Sequence, residues 1–371
     1  MARNVLITGG AGFIGSHIGA RLLARGDSVR ALDCLHPQVH GDWDRPPYLA
    51  PETELVVGDV RDKEAVERAL DGIDTVVHLA ARVGVGQSMY EAAEYSSVNA
   101  YGTAVLLQAL PGSSVSRLVV ASSMSVYGEG CYVDAQGVRR DTVDRSREQV
   151  EAGRWDPVDA DGEPLTPRPT PESKPPVTKS AYALDKLYQE RLCLIFGETY
   201  GVPTTALRLF NAYGPNQALS NPYTGVLAIF AARLLNGRPP LVFEDGRQRR
   251  DFVHVDDVAR AFLLAMDTDA AAGRVINIGS GRSVTIDEVA RMLARVVGRP
   301  ELEPQLAGKH RVGDIRHCFA DVTVAGEVLG YRPQVAMEDG VAALATWLEG
   351  RTATDRVEEM AADLASRGLA V

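Results

Sequence analysis

The run Thr8-Gly9-Gly10-Ala11-Gly12-Phe13-Ile14-Gly15 constrains this chain more than any other feature. It follows the apolar segment Val5-Leu6-Ile7 and precedes Ile18, Leu22 and Leu23 at helical spacing. Glycines at 9, 12 and 15 between a strand and a helix allow a tight turn, close approach of a ligand to the backbone, and close packing of helix on strand. The helix start also offers free N–H groups, which suit phosphate oxygens. A glycine triplet alone is weak evidence, because any glycine-rich strand-to-helix turn looks the same. Its neighbourhood decides: Asp33 ends the next apolar strand, Ser28 to Leu32, 18 residues after Gly15, where a carboxylate can hold ribose hydroxyls. A dinucleotide is therefore expected on Gly9, Gly12, Phe13, Ile14, Gly15 and Asp33. A carboxylate there repels a 2′-phosphate, so NAD is favoured over NADP; Arg30, in the same strand, argues the other way.

The pattern continues with strands at Glu54–Val57, Thr75–Leu79 and Arg117–Ala121 and a helix from about Lys63 to Leu70. Alternating apolar strands and amphipathic helices predict an α/β fold, a doubly wound parallel sheet of Rossmann type. Asp59, after the third strand, either faces the adenine edge or caps the following helix, and the two roles are compatible. From Gly128 to Lys179 the periodicity breaks down among seven prolines and many charges, which reads as a long surface excursion. A helix resumes at Ala181 and a strand at Thr204–Leu209. Mixed short strands and helices follow, suggesting a smaller α/β substrate domain. The expected division is 1–212 for the nucleotide domain with its insertion at about 129–179, 213–351 mainly for the substrate domain with parts near 253–280 returning to the first, and 352–371 for a terminal helix. Val357, Met360, Ala361 and Leu364 give that helix one apolar face, which packing alone explains.

Composition narrows the classes. A net charge of −10 from 39 basic and 49 acidic residues, with no basic cluster, argues against a nucleic-acid binder. Cys34, Cys131, Cys193 and Cys318 form no CxxC pair, so neither a disulfide framework nor a zinc site is expected. The start resembles no secretory leader, and Gly225–Leu235 is about half of the ~20 residues a membrane span needs. A soluble, cytoplasmic protein without bound metal is expected.

Two more segments carry chemistry. Ser122-Ser123 ends the fifth strand, and Tyr182 and Lys186 lie four apart on one helix face. An ammonium beside a phenol, near a positively charged nicotinamide, lowers the phenol's pKa toward working pH. The phenolate can then take a proton from an alcohol while hydride leaves its carbon, with the Ser123 hydroxyl holding the same oxygen. Taken alone, Tyr and Lys at this spacing arise often by chance; joined to the glycine turn they rarely do.

At this point the motifs resemble a known family. Thr8–Gly15, His78-Leu79-Ala80-Ala81, Asn99 with Gly102-Thr103, Ser122-Ser123, Tyr182 with Lys186, Leu209–Pro215 and Gln248–Val258 stand in the order found in the extended short-chain dehydrogenase/reductases of the nucleotide-sugar epimerase/dehydratase branch. The resemblance covers nearly the whole chain. It implies permanently held NAD, a C-terminal domain for a nucleotide diphosphate sugar, and a homodimer formed through helices near 91–110 and 181–200. It implies Ser123, Tyr182 and Lys186 as the catalytic set. Asp59, Val60, Leu79, Ala80, Ala81 and Asn99 join the cofactor residues. Val85, Ser123, Met124, Asn211, Asn221, Val226, Gln248, Arg250 and Arg311 face the substrate, the arginines on the diphosphate. His78 and His254, in or at the end of apolar strands, read as structural.

The reaction follows from what adjoins Ser123. The family's 4,6-dehydratases resemble one another in an Asp-Glu pair after their Thr, and its decarboxylases in a Glu two positions on; this chain has Met124 and Ser125. What Tyr, Ser and NAD complete alone is 4-epimerisation. The segments Gly84–Glu91, Gln217–Val226 and Gly313–Asp321 and the insertion are similar to those of the branch that epimerises dTDP-L-rhamnose. A decarboxylase or 4-ketoreductase of the same fold, or a non-catalytic NAD sensor, are the alternatives.

Overall fold

The structure, a computed structural model, describes residues 2–370. Seven strands, β1 (Asn4–Thr8), β2 (Ser28–Asp33), β3 (Glu54–Val57), β4 (Thr75–His78), β5 (Arg117–Ser123), β6 (Thr204–Leu209) and β7 (Val275–Ile278), make one sheet. Their order is β3-β2-β1-β4-β5-β6-β7 and every pairing is parallel. The chain reverses direction across the sheet between β1 and β4, which opens a crevice at their carboxyl ends. Both faces are covered, so the strands read as continuous apolar runs. Val5, Ile7, Val77, Val119 and Leu207 pack on one face with Phe262 and Met266; Leu6, Val76, Leu118, Val120 and Ala206 pack on the other with Leu106 and Phe196.

Local chemistry sets the ends of the key helices. Helix Phe13–Arg25 starts from Gly12 without a side-chain cap and stops at Gly26, whose left-handed backbone returns its N–H to Leu22 and Leu23. Helix Lys63–Leu70 is capped by Asp62, which accepts from the Glu64 and Ala65 N–H groups. The capping role considered for Asp59 thus belongs to Asp62, one residue before the helix, as an N-cap must be. Ser180 caps helix Ala181–Tyr200, accepting from the Ala183 N–H at 3.1 Å.

A third apolar cluster joins helices Val226–Leu235, Ile286–Val296 and Met337–Leu348 to Tyr213 and Phe252. The insertion differs from the surface excursion expected. Strand Cys131–Val133 pairs antiparallel with Arg139–Arg140 and Thr166–Arg168, and Tyr132, Val143 and Leu165 are buried together. Its apolar residues stand too far apart along the chain to show a period. Helix Val357–Ser366 buries Val357, Met360 and Leu364, the face its spacing predicts. Among the described residues no helix is long and apolar enough to cross a membrane. All four cysteines are free, with Cys34 exposed.

Candidate active site

A cavity of about 590 Å³ lies at the crevice, with the glycine turn and Asp33 on one side and Ser123, Tyr182, Asn211, Asn221 and Val226 on the other. The glycines do distinct work. Gly9 has φ of 69°, and a Cβ there would meet the Ala80 nitrogen at 3.0 Å. A Cβ on Gly15 would stand 2.6 Å from the Gly9 carbonyl oxygen and 2.7 Å from the Gly10 Cα, forcing the helix off the turn. The first turn of that helix carries no acidic residue to compete with a phosphate. Asp33 accepts from the Ala11 N–H at 3.1 Å and the Leu35 N–H at 3.0 Å, which aims its carboxylate at the end of β2. These residues fit a dinucleotide.

Arg30 does not oppose that reading. It pairs with Glu54 at 2.8 Å, donates to the carbonyls of Ala69 and Asp71, and does not line the cavity. Asp59 and Val60 do line it. Burial pushes the Asp59 carboxyl up, but hydrogen bonds and charge from Arg61 outweigh burial and hold it below its ordinary value. Leu79, Ala80 and Ala81 form the floor. Asn99 stands behind it, fully buried, with its amide bonded to both the N–H and the carbonyl of Arg82. It therefore shapes the cavity wall without lining it.

At the reacting end, Ser123 Oγ accepts from the Ser125 N–H and hydroxyl at 3.2 and 2.9 Å. Tyr182 and Lys186 are buried, while Leu184 and Tyr188 on the same helix are exposed. Lys186 Nζ donates to Gln189 Oε1 at 2.7 Å, and Gln189 Nε2 donates to Thr103 Oγ1 at 2.8 Å. Burial lowers the Lys186 ammonium to about 8. It also pushes His78 down to about 3, with Lys186 adding to the effect, so the imidazole is neutral. His78 meets Thr8 Oγ1 at 2.7 Å and Thr103 Oγ1 at 2.9 Å, a satisfied structural residue. Tyr182 departs from expectation: burial raises its pKa, and only the Ser123 hydroxyl works against burial. The ammonium faces Gln189, so among the chain's own groups only Ser123 works to lower the phenol, and burial outweighs it.

Asn211 donates to the Asp251 carbonyl at 2.9 Å and touches Met124 Sδ at 3.4 Å. Asn221 Oδ1 accepts from the Tyr223 N–H and from Gln38 Nε2, each at 3.0 Å. Val85, Met124, Gln248, Arg250 and Arg311 fall outside the cavity lining. Met124 packs beneath Ser123 with Tyr127 and Phe210. The others gather around the loop 311–316. Gln248 donates to the Phe243 carbonyl at 2.7 Å, and Arg311 lies 4.5 Å over the Phe243 ring while pairing with Asp314 at 2.8 Å. Arg250 donates to the carbonyls of Ile315 and Arg316, and Val85 lies 3.4 Å from where a Gly313 Cβ would be. Behind this loop is an ion network: buried Arg316 reaches buried Glu244 at 2.9 Å and exposed Asp156 at 2.8 Å, and the buried Arg145 side chain reaches Glu244 at 2.7 Å and Glu129 at 3.3 Å.

Sequence reasoning missed Gln189, Gln38 and Gln87. Gln189 carried a faint signal, a polar residue one turn from Lys186 on a buried face. Gln38, which donates to both Gln87 and Asn221 across the cavity, carried none.

Residues 5–279 match the NAD dependent epimerase/dehydratase family. The chain is 38% identical over 350 residues to the dTDP-L-rhamnose 4-epimerase of Burkholderia thailandensis, covering 93% of this chain and 95% of that one. It is 31% identical to the dTDP-glucose 4,6-dehydratase of Actinoplanes sp., covering 92% and 97%. Among solved structures it is similar to the UDP-glucose 4-epimerase of Thermus thermophilus in complex with NAD, at 31% identity, coverage of 94% and 100%, and a TM-score of 0.74.

Proposed function

We propose, from the premise that this chain belongs to the NAD dependent epimerase/dehydratase family, that it is a nucleotide-sugar 4-epimerase acting on dTDP-L-rhamnose to give dTDP-6-deoxy-L-talose. The observation that carries the reaction type is the placement of carboxylates. Those lining the cavity are Asp33, Asp59 and Glu94, all on the dinucleotide side, with Glu94 bound to the Arg61 that pairs with Asp59. None adjoins Ser123, where Met124 and Ser125 follow. Eliminating water from a sugar needs an acid and a base besides the tyrosine, and no carboxylate lines this end of the cavity to supply them. The choice of sugar rests on the rhamnose 4-epimerase relative.

Gly9, Gly12, Gly15 and Asp33 would hold NAD, which when bound accepts hydride from C4 of the sugar and returns it to the other face. Ser123 orients the C4 oxygen, and Tyr182 takes its proton and later gives it back. Burial raises the Tyr182 phenol and the Ser123 hydroxyl opposes it, so Tyr182 would draw on a bound cofactor's positive ring for part of the depression it needs. Asn211, Asn221 and Val226 grip the substrate while the 4-keto sugar turns. Arg250 and Arg311 are assigned to the diphosphate; each must then share donors now engaged by carbonyls or Asp314. Leu184, Tyr188 and Ile195 expose apolar surface along one helix, which supports a homodimer. Free thiols suit the cytoplasm.

The test is incubation with dTDP-, UDP- and GDP-sugars in deuterated buffer without added NADH. Interconversion of two C4 epimers with no deuterium at C3 or C5 is expected. Release of CO2 from a nucleotide uronic acid, or deuterium at those carbons, would overturn the reading.

A further inference from the structure

We propose that residues 356–370 form a brace that sets the affinity of the site for its sugar nucleotide, by holding three separate substrate segments in register. The inference rests on the sugar-nucleotide reading above. The first segment is Gly84–Tyr90. Leu364 is buried over Gly86, where a Cβ would stand 3.4 Å from its methyl carbon. In the same segment, the Arg367 guanidinium lies 4.2 Å from the centre of the Tyr90 ring, and Asp363 holds that guanidinium at 2.9 Å. The second segment is Asn221–Val226. The Tyr90 and Tyr223 hydroxyls are 2.6 Å apart, and the Tyr223 N–H donates to Asn221 Oδ1. The third is the loop bearing Arg311. The Val312 N–H donates to the Leu369 carbonyl at 2.9 Å, and Arg311 pairs antiparallel with Ala370. Upstream the brace is fastened as well: the Thr354 N–H donates to Ser220 Oγ at 3.0 Å, and Asp355 meets Arg233 and Arg238.

Each of these segments is a loop or a short turn that would lose ordering entropy on binding if it were free. Tying all three to the one segment 356–370 removes that cost in advance, which appears as affinity. The brace's apolar face meets Tyr90, Tyr223, Ile229 and Leu241, and neither Phe13 nor Ile14 of the glycine turn is among the apolar residues packed on it. Its loss should therefore act on the sugar nucleotide and leave the dinucleotide in place, whereas a helix that merely packs would lower stability without a preference for either ligand.

The experiment compares the full chain, a chain ending at Asp355, and the full-length variants Leu364→Met and Leu364→Glu, with dTDP-L-rhamnose or whichever sugar of the panel the full chain converts. For the shortened chain and Leu364→Glu, KM should rise about tenfold or more while kcat changes less than about threefold. NAD content per chain should be unchanged, Leu364→Met should keep the low KM, and a peptide of residues 356–370 added to the shortened chain should lower KM again. If the shortened chain does not fold, the Leu364 pair decides: equal KM for Met and Glu overturns the brace, as does joint loss of NAD and kcat in Leu364→Glu. If the full chain converts no sugar of the panel, the epimerase reading fails by itself. Calorimetric titration of dTDP then still tests the brace, and equal affinity for full and shortened chains overturns it.

Discussion

The dinucleotide side of this molecule and the region where the insertion meets the loop 311–316 are held together by different forces. Around the glycine turn, apolar side chains alternate along seven strands and fill both faces of one sheet. Around the loop, the interior is ionic: Arg316 and Glu244 are 0% and 1% exposed, Arg145 bridges Glu244 to Glu129, and Tyr132 donates to Glu129 at 2.7 Å. Apolar packing is insensitive to pH and tolerates substitutions of similar volume. A buried ion network tolerates neither, because removing one partner leaves its counterpart charged in a medium that solvates it poorly. The proposed chemistry, assigned to Ser123 and Tyr182, sits between the two, so its removal should leave both halves standing. Tyr182→Phe is expected to lower turnover about 10³-fold, while NAD measured after denaturing the purified protein stays at the wild-type amount. Turnover within tenfold of wild type would sink the assignment of Tyr182 as the base.

Stability separates the halves more directly. Arg316→Met leaves Glu244, Asp156 and Asp245 facing one another without their shared partner, and should cost about 3–5 kcal/mol in urea unfolding. Val119→Ala in the sheet removes only two methyl groups and should cost about 1–3 kcal/mol. A smaller loss for Arg316→Met than for Val119→Ala would mean that the ions do not carry the insertion. Acid gives a third contrast. Burial pushes the Glu244 carboxyl up, but His310, Arg145 and Arg316 outweigh burial and hold it at about 2, against 4.5 for a free glutamate. A depressed carboxyl contributes stability that is complete above the unfolded value and fades as pH falls from about 4.5 toward 2, here about 3 kcal/mol. Glu244→Gln should flatten that part of the stability profile; an unchanged slope would place the acid sensitivity elsewhere.

The same division explains what could be read from the sequence. Gly9, Gly12, Gly15 and Asp33 act through spacing and backbone conformation, both local, and Tyr182 with Lys186 acts through one helical turn; all of these line the cavity. The insertion's order rests on pairs such as Arg145 with Glu244, 99 residues apart, and Arg316 with Asp156, 160 apart. Charge pairing imposes no period, so the segment looked like surface. Arg250 and Arg311 are legible as basic residues at positions where the family resemblance implies diphosphate contacts. That Arg250 is bound to backbone carbonyls and Arg311 to Asp314 and Phe243 is not, since those partners depend on how the loop 311–316 folds over Phe243. Asp59 and Asp62 show the limit at short range: both precede the helix, and only backbone geometry tells which one caps it.

Gln189 offers the smallest expected effect, and it tests whether the apolar half also holds a polar device. Its side chain joins Lys186 to Thr103 and to the carbonyl of Ala80 at the cavity floor. A hydrogen bond to the ammonium favours the charged form, against the burial that brings Lys186 down to about 8. Gln189→Leu removes that bond and should move the alkaline limb of the kcat profile to lower pH by about half a unit. Gln189→Glu places a carboxylate beside the ammonium and should move the limb the other way. If Gln189 only filled space, both variants would lower stability and neither would move the limb. Shifts of opposite sign require that the charge on Lys186 matters to turnover and that Gln189 helps to set it, so a shift of the same sign in both variants would remove Gln189 from the site.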